Sequence, residues 1–527
     1  MRRFLPGLLL LAAVGLQHQP ARAAKAAAKP APTPVSAGAA RNAPDADART
    51  AAFAEYEAEL ASGQKARAAS ALVHLTEDSA RAAFRGEAFA KLGDLLIELR
   101  LPYGALCAYV RAFEAADEFN IDEVGARVPA AIKLATELGD PMVLQRPFSK
   151  NLGLARTDDV RGQMALLAAR EQFRQGSFGL AGAVLKLVAE GDPVYPDAKA
   201  LEGVILAQQA RHEDALTAFE KALAAGRSRD QRFKDLVALN TAREFYAAEN
   251  FPRAIQGYAA VSRSSEFWPQ AQFERAWAHF RLDDFNGTLA LLLPLDTAFF
   301  KEWYFPEADL LRIYSMFYLC KFPEAATSIE VFTAEYKPLV TTLREVTALP
   351  APELFEIVRT YVTKGDPGPL PERVVRPWAH EDRFLGALAA LNSLDAEIAR
   401  LKGADANIFS VRAKTWLDER REALVTEEGE RVADRLRANR VELADWVGSA
   451  ELFTVDLLRM KGHLYEQAAL TGELAKPVAS AERQERLRKG WREWPFEGEY
   501  WADELGYYRV TAPAECPAAL RRDPTGG

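Results

Sequence analysis

Cysteine, histidine, basic clusters and strand-like alternation are all scarce in this sequence. There are three cysteines, Cys107, Cys320 and Cys516, and six histidines, His18, His74, His212, His279, His380 and His463. An odd cysteine count leaves at least one thiol unpaired or joined to another chain. Cys107 and Cys320 are expected as small buried hydrophobes on helices or their edges. No two histidines stand three or four residues apart, so no helical metal face forms. His212-Glu213-Asp214 reads as a solvated turn, and His463 with Glu466 makes half a ligand set at best. No glycine-rich phosphate loop follows a strand, no G-x-S-x-G elbow occurs, and no cysteine lies beside a plausible base. The formal net charge is −8 with no basic cluster, which argues against a nucleic-acid partner and against an anionic membrane surface. These absences point away from an enzyme, a metal and a cofactor.

What is present is a helical composition: 49% hydrophobic, 27% charged, rich in alanine and poor in β-branched alternating runs. The 527 residues are enough for two or more domains. From about Arg85 to Pro338 one pattern returns at Gly86, Gly162, Pro196, Asp235, Pro269 and Pro306. These starts are 76, 34, 39, 34 and 37 residues apart, and 76 is twice 38, so a divergent copy is expected in the first gap. The clearest copy runs from Pro196 to Ala225, with Gly203 and Leu206 before a turn at Ala210–Glu213 and Ala215, Phe219 and Ala222 after it. Gly93, Leu96, Ala105, Tyr109 and Ala112 fill the same slots in the first copy, and Ala242, Phe245, Ala254, Tyr258 and Val261 fill them in the fourth. Thr288 and Ile313 replace small residues in later copies. Two helices whose axes approach to ~8–10 Å need this alternation of small and large.

The recurring small-residue lattice resembles the tetratricopeptide repeat family over about half of the chain. That resemblance implies an all-α, TPR-like solenoid superhelix in which the first helix of each hairpin lines the concave side. The ninth and twelfth repeat places then point into the groove: Arg243 and Tyr246, Trp277 and Phe280, Tyr314 and Phe317. A ladder of one cation and five aromatics suits an extended peptide or an amphipathic helix.

Around the array, Arg2 and Arg3, the apolar run Phe4–Leu16 and Ala21-Arg22-Ala23 read as a cleavable export signal over residues 1–23. The run is shorter than the ~20 residues a span takes, so the mature chain is expected to have no transmembrane segment and to reside in the periplasm. Residues 24–50, rich in alanine and proline, are expected as a disordered linker, followed by the array over 51–362. Prolines and glycines over 363–380 mark a second linker. Over 381–475 a long helical hairpin is expected. Its second helix carries Leu436, Asn439, Leu443, Trp446, Ala450, Phe453, Leu457, Met460 and Leu464 at heptad positions, giving coiled-coil-like packing. That seam needs a cover, either the array or a second chain, and the bulk of Trp446 and Phe453 favours the array.

The tail over 476–527 contains WREWPFEGEYWADELGYY, with seven aromatics in 18 residues. Trp494, Phe496, Tyr500 and Trp501 are expected to dock, either closing the groove of the array or contacting a partner. The stretch resembles the endings of some envelope repeat proteins in gliding bacteria, which implies a place in a motility machine. The expected function is a non-catalytic scaffold that holds other envelope proteins through a protein or peptide ligand in the groove. The alternatives are a module for cell-wall or surface polymer, whose sugars would stack on Trp and Tyr, and a regulatory subunit of an envelope enzyme.

Overall fold

The chain's tight turns explain its architecture. A computed structural model describes residues 45–297, 299–300, 303–402, 407–471 and 505–512. Among these residues every regular element is a helix. Successive helices pack in pairs, and each pair packs on the next. Examples are Arg85–Glu98 with Pro102–Glu114, Tyr195–Gln208 with His212–Ala225, Gln231–Ala247 with Phe251–Ala259, and Trp268–Arg281 with Phe285–Leu292. Between the two helices of each pair sits one residue in the left-handed region: Gly63, Arg100, Gly139, Gly176, Ala210, Glu249, Asp283 and Cys320, with φ from +56° to +76°. The residue after it donates its N–H to the carbonyl five positions back, as in Leu101 to Leu96 at 2.8 Å, Arg211 to Leu206 at 3.0 Å and Lys321 to Met316 at 2.9 Å. This bond satisfies a helix-terminal carbonyl and reverses the chain. The eight turns are 37, 39, 37, 34, 39, 34 and 37 residues apart, so the turn period is the sequence period. Gly139, after the helix Val128–Glu137, marks the divergent copy in the first gap.

Inside the pairs, small residues meet large ones as their spacing requires. A methyl group on Gly93 would come within 2.5 Å of the Tyr109 ring, and one on Gly203 within 2.5 Å of the Phe219 ring. Tyr109, Phe219 and Tyr258 are each no more than 2% exposed.

Two expected linkers contain helix. The first helix, Ala46–Ala61, begins inside the stretch expected to be disordered, with Asp45 capping its N-terminus and Phe53 buried beneath it. Residues 363–380 include the helix Glu372–Ala379, with Pro371 as its N-cap. Proline's preset φ suits a helix start, and burial of Val374, Val375 and Trp378 holds the segment.

The C-terminal part is dominated by a 64-residue helix, Ile408–Thr471. The helices Phe322–Val346, Ala351–Lys364 and Asp382–Lys402 pack along it. Gly429 is where it crosses the backbone of Ala351, since any side chain there would overlap the Ala351 carbonyl. Of the heptad residues, Leu436, Leu443, Ala450 and Leu457 are buried, while Asn439, Trp446, Phe453 and Met460 are half-buried. The same helix also reaches the first pairs. Trp416 packs on Phe89 with ring centroids 5.8 Å apart and lies under the Arg111 guanidinium at 4.6 Å. Arg420 forks onto Asp140 at 2.8 and 2.9 Å, and the Tyr103 hydroxyl donates to the same carboxylate at 2.5 Å. Buried Glu397 accepts from the Tyr103 and Gly104 amides at 2.7 and 3.0 Å. One hydrophobic core therefore joins residues 52–168 to residues 310–457. The pairs between them have four small cores of their own.

Candidate functional site

The six ladder residues all lie on the first helices of three successive pairs: Gln231–Ala247, Trp268–Arg281 and Pro306–Tyr318. They meet three different surroundings. Arg243 is 6% exposed and forks onto Glu274 of the next pair at 2.5 to 3.0 Å. Burial works against its charge, but the Glu274 carboxylate more than offsets this, so its pKa is raised. Trp277 is 4% exposed, edge-on to Phe280. Arg243 and Trp277 thus lock neighbouring pairs together rather than face solvent. Tyr314 and Phe317 lie against Phe453 of the long helix, with ring centroids 4.9 and 4.6 Å away. The groove places they mark are filled by the chain itself.

Tyr246 and Phe280 remain half-buried at the surface. Tyr246 is edge-on to Phe251 at 5.3 Å, and the Arg281 guanidinium lies over the Phe251 ring at 4.7 Å. Phe280 meets Phe285 at 5.4 Å and Tyr318 at 5.7 Å, both edge-on. Phe285 and Tyr318 stack face to face at 5.0 Å. Exposed Leu282 follows Arg281 at the turn. The result is a connected aromatic edge where the first helices end. Phe285 and Tyr318 belong to it although the repeat places do not single them out. Their signal in the sequence is the turn itself, since Phe285 follows Asp283 by two residues and Tyr318 precedes Cys320 by two.

Behind this edge lies a buried acid. Glu307 is 8% exposed, and its pKa is pushed up to about 8 by burial and then by the Glu442 and Glu274 carboxylates. The Trp277 indole counters this only weakly, because its buried N–H makes no well-formed hydrogen bond. His212 departs from its expected solvated turn: its Nδ1 sits 2.9 Å from Glu244 Oε2 of the next pair, and Glu244 is fully buried. Burial raises the Glu244 pKa, and His212 opposes the rise.

Cys107 is free and buried, its thiol pushed up to about 11 by burial. Cys320 is disulfide-bonded, which corrects its expected role as a simple buried hydrophobe. Among the described residues no group of three His, Cys, Asp or Glu is placed to hold a metal ion. No helix among them is long and apolar enough to cross a membrane. A shallow groove of about 360 Å³ beside Arg227, Lys234 and Asp235 gathers no nucleophile with a base. The docking residues Trp494, Phe496, Tyr500 and Trp501 lie outside the described residues, as do Cys516, the export signal and residues 24–44 of the first linker. The chain matches no protein-family model, and no curated protein sequence matches it.

Proposed function

We propose that this chain is an exported, non-catalytic scaffold of the tetratricopeptide type, a solenoid that holds other envelope proteins and binds them through protein–protein contacts. The observation that carries the reading is the repeated left-handed turn at a 34- to 39-residue period together with the aromatic edge presented at three successive turns. Repeat arrays of this kind recognise partners over surfaces spread across adjacent units. Aromatic side chains supply contact area with few rotors to freeze. The Phe4–Leu16 run behind two arginines supports export, and with it a periplasmic location.

The contact surface assigned to the partner is Tyr246, Phe280, Arg281, Leu282 and Tyr318, and the fitting ligand is a peptide or helix that offers an apolar side chain to the edge. The polymer alternative needs an open ring face for a sugar. Trp277 is buried, and Phe285 and Tyr318 spend their facing sides on each other. Protein is therefore the better match.

The test is site-specific photo-crosslinking in cells. A photoreactive residue at Leu282 should give a discrete protein adduct that disappears when Phe280 and Tyr318 are both changed to alanine. The same adduct from a probe at Leu187, exposed on another pair, would remove the assignment.

A further inference from the structure

The helix that carries Glu307 and the long helix run in the same direction. Lys337 pairs with Glu451 at 2.8 Å, and Ala351 meets Gly429. As the chain advances from 337 to 351, its contacts step back along Ile408–Thr471, so Phe322–Val346 runs against the long helix. Its hairpin partner Pro306–Tyr318 therefore runs with it. On Pro306–Tyr318, Glu307, Tyr314 and Phe317 follow at steps of seven and three and share one face. On the long helix Glu442, Trp446, Ser449 and Phe453 follow at steps of four, three and four, again on one face.

Phe453 sets the register of the two faces, because its ring lies 4.9 Å from Tyr314 and 4.6 Å from Phe317. Back from that contact, Glu307 stands ~10–15 Å along its own helix and Glu442 ~16 Å along the long one. Two carboxylates thus arrive at the same end of one interface. Glu307, 8% exposed, forms the floor, and Glu442, exposed, stands at the rim. Burial and then the Glu442 carboxylate hold the Glu307 pKa up. Partial burial and then Asp445 raise that of Glu442.

The acids nearby already have their cations. Glu274 holds Arg243, Glu451 holds Lys337 and Asp309 holds Arg312. Arg281, the cation of the aromatic edge, lies 3.5 Å from Glu249 and over the Phe251 ring. Among the described residues Glu307, Glu442 and Asp445 take part in no ion pair and no well-formed hydrogen bond. Two buried polar atoms beside them are also unpartnered: the indole N–H of Trp277, a side chain 4% exposed, and the Tyr304 hydroxyl. Each is close enough to feel an acid, Trp277 acting on Glu307 and Glu442 acting on Tyr304. A desolvated carboxylate with no partner is costly, and a cation brought to it recovers part of that cost. We infer that Glu307 and Glu442 receive one basic side chain, a lysine or arginine of the peptide or helix that docks on the aromatic edge, a role that rests on the peptide-binding reading of that edge. Tyr246 connects the two places, since it belongs to the edge and the Glu307 carboxylate raises its pKa. An ammonium offers three donors, which match the two carboxylates and the Tyr304 oxygen.

The test is fluorescence anisotropy with the full chain and three labelled peptide amides, Phe-Leu-X-Leu, in which X is lysine, norleucine or glutamate. The lysine peptide should bind at least about tenfold more tightly than the norleucine peptide, and the glutamate peptide should bind most weakly. Glu307→Gln and Glu442→Gln should each remove most of that preference and leave the norleucine affinity unchanged. Changing Phe280 and Tyr318 together to alanine should weaken the lysine and norleucine peptides alike and keep their ratio. Equal binding of those two peptides to the unaltered chain would overturn the basic-residue pocket and leave the edge standing. A lysine preference that survives Glu307→Gln would also overturn it. Lysine binding undiminished by the Phe280 and Tyr318 change would remove the edge instead, and failure of all three peptides to bind would overturn both.

Discussion

The two ends of the helical array and its middle are built from the same hairpin but held together differently. At the ends, residues 52–168 and 310–457 share one core, and the long helix carries buried charges that reach across from one end to the other. In the middle, from the pair at Tyr195–Gln208 to the pair at Trp268–Arg281, each small core involves only adjacent pairs. Middle contacts are nearest-neighbour contacts, the condition under which repeat arrays respond locally to damage. The bridged ends are expected to respond as a unit. The aromatic edge spans the boundary: Tyr246 and Phe280 stand on middle pairs, while Tyr318 ends the helix Pro306–Tyr318, whose Leu310 and Ile313 join the shared core.

That contrast can be broken most forcefully at Asp140. Asp140→Ala leaves Arg420 charged, buried and without its main partner, and should lower the unfolding free energy by about 3–5 kcal/mol, measured by urea titration. Asp140→Ala combined with Arg420→Met should recover much of the loss. In the middle, Gly203→Ala forces a methyl group against Phe219 and should cost about 1–3 kcal/mol, with faster hydrogen exchange confined to the pairs on either side.

Glu307 stands where the middle meets the bridged end, and its sign follows from its raised pKa. Its protonated form is favoured in the folded state, so the burden of ionising it is absent below its ordinary pKa, grows as pH rises, and is complete above about 8. Glu307→Gln should therefore stabilise by about 1–3 kcal/mol at pH 8.5 and by almost nothing at pH 4.5, read as the shift in melting midpoint at each pH. The smallest effect belongs to Ala210, which holds a left-handed conformation at φ +56°. Ala210→Gly removes a Cβ clash there and should stabilise by about 0.5–1 kcal/mol, with the gain felt only in its own pair.

The sequence revealed what is local and repeated. Gly203 with Phe219, and Gly93 with Tyr109, stand a fixed sixteen residues apart, so their contact shows as a pattern. The turns were harder to see, because five of the eight left-handed residues are not glycine and only their period exposes them. The divergent copy was legible from the doubled gap, and Gly139 marks it. The fates of the ladder residues were not legible. Arg243 finds Glu274 thirty-one positions away, and Phe317 finds Phe453 on a helix beyond the repeats. Neither pairing leaves a local signature. Prolines misdirected the reading of residues 363–380, because Pro371 starts a helix that burial of Trp378 secures.

The central claim is that one helix binds both ends of the array into a single core while the middle pairs stand apart. Hydrogen-exchange mass spectrometry on Trp416→Ala tests it most directly, since Trp416 lies where the long helix meets Phe89 and Arg111. The account predicts faster exchange in Arg85–Glu98, Pro102–Glu114 and Asp382–Lys402 together, with Tyr195–Gln208 and Phe251–Ala259 unchanged. An equal rise across those middle helices, or a rise confined to the long helix, would contradict it.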